Sequence, residues 1–342
     1  MAEIKPNYDT KRKKLAEIIP LAHPFSVYIE QTKYCNFKCF YCIHSTRDEA
    51  DGEFRALGHR MQHIDEGFFE KIIHDLKAFP QGGIKRIVFS GLGEPLMNPR
   101  LPDYVRMAVE AGIAGRVEVI TNGLLLTPEK SKALVEAGIT NINISVQGLD
   151  AEGYQETCGV RIDFDHYLEN LKYLYEHKGN VQIYIKAIDA TLKTKENEKK
   201  FFRIFSPFAD RIYIEHLVVM QQQMDGLREI VDGTKNFYGE ELDVNRKVCA
   251  QSFYFMQIGC EGDIFPCPVP GLGRNLSMGN AKEHTLVEIW NGSRRRGFLR
   301  KMLKKEKDQI PDCATCTCFN AINNPMEQLD DDAERLLPLF ED

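Results

Sequence analysis

Cys35, Cys39 and Cys42 stand within one short run, Cys35-Asn-Phe-Lys-Cys39-Phe-Tyr-Cys42, a C-x3-C-x2-C spacing. Closely spaced thiolates bind iron–sulfur clusters or zinc. A [4Fe–4S] cluster normally takes four cysteines, so a triplet with no fourth beside it leaves one iron open to a small molecule. The same residues admit two plainer readings: a zinc site completed by a distant ligand such as His44, or three buried cysteines. A second set lies in the C-terminal portion: Cys249, Cys260, Cys267, Cys313, Cys316 and Cys318. Four of these suffice for another cluster or for structural zinc. Cys158 stands apart from both sets. The chain starts without the apolar region of a signal peptide and has no apolar run of membrane-spanning length. Its ten cysteines therefore read as metal ligands in a reducing cytoplasm, not as disulfides.

Particular elements must hold these thiols in place. From about residue 25 to 217, short β-branched runs alternate with segments of helical period. The strands expected are Phe25–Glu30, Arg86–Ser90, Arg116–Thr121, Asn141–Val146, Val181–Ala187 and Arg211–Leu217. Helices are expected near 65–79, 102–111, 128–137, 165–177 and 194–205. Thr127, Pro128 and Gly138 bracket the third helix as cap, first turn and stop. Such alternation argues for an α/β chain with a parallel sheet covered by helices. In barrels of that kind chemistry collects at the C-terminal strand ends, and the triplet falls there, just past the first strand.

On the fourth strand Asn141, Asn143, Ser145 and Gln147 alternate with Ile142, Ile144 and Val146. Under a sheath of helices that polar face must point inward. The same rule turns Gln182, Tyr184 and Lys186 to one face of the fifth strand, and Arg211, Tyr213 and Glu215 to one face of the sixth. Lys186 and Glu215, near the strand ends, either pair with each other or meet a substrate. After residue 220 comes a polar stretch, Gln221–Gln223, then short strands Phe253–Ile258 and Asp263–Phe265 joined by a Gly262-Asp263 turn. A helix over Thr285–Leu303, a cysteine loop and a tail, Met326–Asp342, follow; the tail is either a docking helix or a frayed end. A net charge of −6 argues against nucleic-acid or anionic-membrane partners. The basic clusters Lys11–Lys14 and Arg294–Arg296 read as solvated helix faces.

The triplet, with Tyr41 directly before its third cysteine and Gly91-Leu-Gly93-Glu94 one strand later, resembles the radical SAM enzymes. The resemblance implies a partial (β/α)6 TIM-type barrel, with Cys35, Cys39 and Cys42 holding a [4Fe–4S] cluster and S-adenosylmethionine (SAM) chelating its open iron. Reductive cleavage of SAM then yields a 5′-deoxyadenosyl radical that takes hydrogen from a substrate. Roles follow for single residues. Tyr41 would lie near the adenine, and Gly93 and Glu94 would form a variant of the family's GGE element at the SAM amino group. Ser145 would reach the ribose or carboxylate, Gln147 would face SAM or substrate, and Arg161 would neutralise the SAM carboxylate. Lys186 and Glu215 would contact substrate. Cys158 is either a small buried residue or, as in some family epimerases, a hydrogen-atom donor.

The order of the C-terminal cysteines resembles the family's twitch/SPASM extension, a small β-hairpin plus helix. It implies one auxiliary [4Fe–4S] cluster on Cys249, Cys267, Cys313 and Cys316, with Cys318 able to replace Cys316. The expected units are an N-terminal helical segment (1–24), the barrel (25–220), a linker (221–248), the auxiliary domain (249–325) and an acidic tail (326–342). With one auxiliary cluster and only a short segment before the barrel, the chain is most similar to twitch enzymes that oxidise or epimerise aminocyclitols and sugars. A peptide- or protein-modifying maturase is the alternative; a non-catalytic iron–sulfur or zinc scaffold is a third reading. A reduced flavodoxin- or ferredoxin-type protein is the implied electron donor.

Overall fold

Among the described residues nine strands form: β1 (Glu3–Ile4), β2 (Ser26–Ile29), β3 (Ile84–Phe89), β4 (Ala114–Thr121), β5 (Asn141–Val146), β6 (Gln182–Ile188), β7 (Arg211–Glu215), β8 (Phe255–Ile258) and β9 (Ile264–Phe265). They form one sheet in the order β1-β7-β6-β5-β4-β3-β2-β8-β9. The computed structural model describes residues 2–7, 12–219, 225–229, 231–243, 245–314, 316–321 and 324–341. Gln221–Gln223, Lys11 and Asp342, singled out above, lie outside the described residues.

From β2 to β7 the strands are parallel neighbours in sequence order, joined by helical crossovers, which gives the α/β partial barrel its single mouth. Each strand is sequestered on both faces, for different reasons. Val27, Ile29, Ile87, Phe89, Val119, Ile142 and Ile144 pack beneath the helices in the main apolar core. The opposite face carries polar groups that satisfy one another. Asn143 donates to Glu118 at 3.3 Å and accepts from Asn7 at 2.8 Å, and Arg116 approaches Glu118 at 3.2 Å. This inner face is why β5 looks amphipathic although Asn141 and Asn143 are buried.

Helix boundaries follow local chemistry. Asp65 caps Glu66–Lys77 by accepting from the Phe68 amide, and Phe68, Phe69, Ile72, Ile73 and Leu76 line its buried side. Thr127 caps Pro128–Glu136 as expected. The single helix expected over Thr285–Leu303 is instead two, Leu286–Trp290 and Ser293–Leu303. The break falls at Gly292, whose ψ of 152° is extended and makes it the cap of the second helix. A helix missed in the sequence, Ala151–Cys158, is capped by Asp150 and ends at Gly159 with φ 70°.

In the segment expected to be an N-terminal helix, the described residues form a two-residue strand and one 3-10 turn, Leu15–Glu17. Its prolines lack the amides a longer helix needs. β1 pairs in parallel with β7 at one edge of the sheet. At the other edge the expected hairpin forms, but β8 also pairs in parallel with β2, so the hairpin extends the barrel sheet. Gly262 turns it with φ 97°. The tail docks: Leu329, Leu336 and Phe340 are buried in a second core with Leu15, Val248, Phe253, Leu299 and Met302. Among the described residues no helix is long and apolar enough to cross a membrane.

Candidate active site

The cysteine triplet hangs on a loop just past β2. Lys38 and Phe40 amides donate to the carbonyls of Cys158 (2.9 Å) and Thr157 (3.0 Å), tying the loop to the end of helix Ala151–Cys158. The Arg47 guanidinium donates to the carbonyls of Cys35 and Phe37, both at 2.8 Å. Phe37 is buried edge-on to Tyr154 and anchors the loop from below. These ties aim three thiols at one another. Burial pushes the Cys35 thiol up, helped by the Glu94 carboxylate and then by Cys42 and Cys39. Burial and Cys39 push Cys42 up to about 12. Cys39 is raised chiefly by its hydrogen bond with Cys158, then by burial. Metal-free, all three therefore keep their protons.

His44 is buried, and burial together with Arg47 pulls it down to about 4. Its ring lies against Phe54, with centroids 5.1 Å apart. Among the described residues no three His, Cys, Asp or Glu side chains converge on a single ion. Three thiols that share one another's field without closing on one point fit corners of a larger group, as a cluster requires.

Above the loop, Glu94 is buried and wholly engaged. It accepts from the Leu96 amide (2.9 Å), the Thr121 hydroxyl (2.6 Å) and the Asn122 amide (2.7 Å). Its carboxylate therefore braces the ends of β3 and β4. At Gly93 a Cβ would meet the Thr32 carbonyl at 2.3 Å, so only glycine lets this segment lie against the approach to the triplet. Tyr41 donates to the Gln147 side chain, whose amide nitrogen reaches the Ser145 carbonyl at 3.2 Å. The structure thus brings Tyr41, Ser145 and Gln147 together. Lys186 and Glu215 pair at 2.6 Å, and the Tyr184 hydroxyl donates to the same carboxylate at 3.1 Å.

Arg161 is exposed beyond Gly159 and makes no hydrogen bond or ion pair among the described residues. Cys158 is fully buried within the main core and lies beside Cys39. Of the two readings of Cys158, these surroundings match the small buried residue.

Sequence reading missed a charged group beside the triplet. Glu30 at the end of β2 accepts from the Leu92 amide at 2.8 Å, and its carbonyl accepts from the Cys260 thiol at 2.9 Å. Lys33 donates to Glu261 at 2.5 Å, and Gln62 donates to the other oxygen of Glu261 at 2.6 Å. Burial works against the Lys33 charge, but Glu30 and Glu261 outweigh it and hold the ammonium above its ordinary value. This group binds the triplet's approach to the β8–β9 hairpin. The signal available was Glu30-x2-Lys33 directly ahead of the first cysteine. With His59 and Gln257 it lines a cavity of about 370 Å³.

On the far side of Gly271 and Leu272, which border both spaces, a larger cavity of about 700 Å³ is lined by Cys249, Cys267, Cys313, Cys316 and Cys318. Burial, then Cys316, pushes Cys249 up to about 11. Cys267 is raised by burial and feels Cys249, Cys316 and Cys318. Five thiols around one cavity match a cluster better than one ion. Cys260 takes no part. Lys307 is the one cation of the lining; it donates to the Cys313 (2.5 Å) and Ala314 (3.1 Å) carbonyls.

A barrel with a thiol triplet at its mouth and a second multi-cysteine cavity beside it defines an iron–sulfur enzyme that activates a cofactor at an open iron. The signature of the Radical SAM superfamily matches residues 29–204, and the chain belongs to that superfamily. A second signature, the SPASM iron–sulfur cluster-binding domain, matches residues 249–317. SAM and [4Fe–4S] clusters, one of them auxiliary, are accordingly its cofactors. The chain is 25% identical to the tungsten-containing aldehyde ferredoxin oxidoreductase cofactor-modifying protein of Pyrococcus furiosus, over 86% of this chain and 88% of that one. It is also 25% identical to a PqqA peptide cyclase of Streptomyces rochei, over 86% and 85%. Among solved structures it resembles anSMEcpe with bound AdoMet, with a TM-score of 0.58 and 16% identity, covering 93% of this chain and 98% of that one.

Proposed function

We propose that this protein oxidises its substrate by two electrons: hydrogen abstraction at the barrel mouth, then loss of an electron towards the auxiliary site. When bound, the triplet cluster supplies the electron that cleaves SAM. Cys35, Cys39 and Cys42 would hold that cluster; Cys249, Cys267, Cys313 and Cys316 would hold the other. The Gly93 segment, Tyr41, Ser145 and Gln147 would line the SAM site, with Glu94 and Arg47 positioning the backbone around it.

The observation that carries the oxidative reading is the five-thiol cavity, separated only by Gly271 and Leu272 from the cavity that holds the Lys33–Glu261 pair beside the triplet. Epimerisation, the other outcome, needs a hydrogen donor at the substrate, and Cys158 is fully buried. A peptide or protein side chain is the favoured substrate, because a relative matched across most of both chains is a peptide cyclase. An aminocyclitol or sugar is the second reading. It is supported by the polar cavity, where Gln257 Oε1 lacks a hydrogen-bond partner.

Reconstituted without oxygen and reduced, the protein should release 5′-deoxyadenosine from SAM. Small peptides encoded beside its gene should lose two mass units without taking up deuterium from D2O. A product of unchanged mass in H2O that is one unit heavier when formed in D2O would mean epimerisation and sink the oxidative reading.

A further inference from the structure

From Gly292 to Lys305 the sequence holds seven lysines and arginines and not one acid, in a chain whose net charge is −6. Arg295 is the buried member; its guanidinium lies 3.4 Å from the Trp290 ring centre and donates to the Trp290, Ser252 and Phe253 carbonyls. The other six are exposed or half-exposed. Helical spacing puts Arg294, Arg296, Arg300, Lys301 and Lys304 on one outer face of Ser293–Leu303, opposite buried Leu299, Met302 and Leu303.

Among the described residues, little neutralises Arg294, Arg300 and the three lysines of this stretch. Arg294 donates to the Asn275 carbonyl at 3.0 Å, and Glu341 stands 4.0 Å from Arg300. Lys301, Lys304 and Lys305 have no ion-pair partner among the described residues. Other helices mix signs four apart, as in Lys132–Glu136 and Lys172–Glu176. Here Arg296, Arg300 and Lys304 repeat one sign at that spacing, which weakens a helix. The helix C-terminus favours the cations of the last turn, but it does not call for Arg294 and Arg296 in the first turn or for one sign along the whole face. The inward side of the same helix supplies Phe298 and Met302 to the five-thiol cavity, and Lys307 follows directly. Only about 10 Å, the width of a helix, separates the cationic face from the thiols.

We propose that this face docks an acidic one-electron carrier protein that exchanges electrons with the auxiliary cluster; the proposal rests on the cluster reading of that cavity. One electron crosses, the carrier changing oxidation state by one and the cluster by one the other way; no bond or proton moves. An 11-residue helix is about 16 Å long, which suits the small interfaces of transient electron transfer. Positive charge gathered here on an otherwise acidic chain would steer such a partner into register. Nucleic acid would need a longer basic track, and a membrane would need an apolar face, whereas this helix buries its own.

The test uses a Cys35→Ala, Cys39→Ala, Cys42→Ala background, so that only the auxiliary cluster absorbs, and follows its bleaching by reduced flavodoxin in a stopped-flow instrument. The expected rate falls steeply with added salt. Adding Lys301→Glu, Lys304→Glu and Lys305→Glu should slow it at least tenfold at low salt, while reduced methyl viologen, a small cation, bleaches both proteins at undiminished rates. Equal flavodoxin rates, no salt dependence, or equal slowing with methyl viologen would overturn the proposal. So would tighter binding of the unreversed protein to DNA or to phosphatidylserine vesicles than to flavodoxin. A background protein without iron would instead remove the cluster reading itself, a separate failure visible before any mixing.

Discussion

Cys35, Cys39 and Cys42 share one loop, whereas the thiols of the larger cavity come from three stretches: Cys249 before β8, Cys267 after β9, and Cys313, Cys316 and Cys318 beyond helix Ser293–Leu303. The first site is shaped by bonds close to hand, from Arg47 and from the amides of Lys38 and Phe40. The second depends on a separate core in which Val248, Phe265, Leu299 and Met302 pack against the tail residues Leu329 and Leu336. A loop held locally survives damage elsewhere; a cavity assembled from distant stretches does not. The two regions adjoin at Gly271 and Leu272, which border both the five-thiol cavity and that of the Lys33–Glu261 pair.

The comparison breaks most sharply at the cysteines. Cys35→Ala should abolish SAM cleavage, measured as 5′-deoxyadenosine after anaerobic reduction. Cys249→Ala should leave SAM cleavage in place while removing about half the iron, from about eight to about four per chain for two [4Fe–4S] clusters. Loss of all iron in Cys249→Ala would show that the two sites are not built independently. Leu299→Ala, which opens the second core at a fully buried position, should cost about 2–5 kcal/mol. It should release auxiliary iron before triplet iron, as colorimetric iron counts along a urea series would reveal.

The same contrast governs what could be read from the sequence. The triplet was legible because its ligands are seven residues apart at most, and strand alternation placed it at the correct end of the barrel. The strands themselves were found because Ile142, Ile144 and Val146 report burial under helices. The polar face of β5 was rightly turned inward, yet nothing local told that Asn143 would meet Asn7 and Glu118. Glu30, Lys33 and Glu261 were missed for the same reason: their significance lies in a contact between residues far apart in the chain. The break at Gly292 was overridden by an apolar period that runs on across it. Cys158 illustrates the limit most plainly, since sequence gives its identity and only packing gives its neighbour.

Acid should act through His44 beside the triplet; the described lining of the auxiliary cavity holds no histidine. His44 is held near 4 in the fold, below its ordinary value of 6.5, because burial disfavours its charge and Arg47 adds to that. The unfolded chain therefore takes the proton first as pH falls. The contribution of neutral His44 is complete above about 6.5 and disappears between there and about 4, a loss of about 3 kcal/mol at most. Urea unfolding of the cluster-free protein at pH 7 and 4.5 should show this loss. His44→Phe, which keeps a ring against Phe54 and forfeits no partner at the unpaired Nε2, should show a smaller one. An identical pH response in both proteins would remove His44 from the account.

The smallest expected effect tests the auxiliary site from its own side. Lys307 is nearly buried, donates to the Cys313 and Ala314 carbonyls, and lowers the Cys313 thiol against the stronger upward push of burial. An extra electron in the cavity would be stabilised by that ammonium. A unit charge at roughly 7 Å, with an effective dielectric of about 20, is worth about 2 kcal/mol. Lys307→Gln should therefore make the auxiliary cluster harder to reduce by on the order of 100 mV, since about 1.4 kcal/mol corresponds to about 59 mV for one electron. Glutamine retains a donor for the carbonyls, so the iron count should hold and separate charge from loop support. Lys307→Arg should restore the potential. If Lys307→Gln sheds iron but leaves the remaining cluster at the original potential in a redox titration, the lysine is a brace for the cysteine loop and its charge is incidental. The triplet cluster, on the other side of Gly271 and Leu272, should keep its potential in both variants.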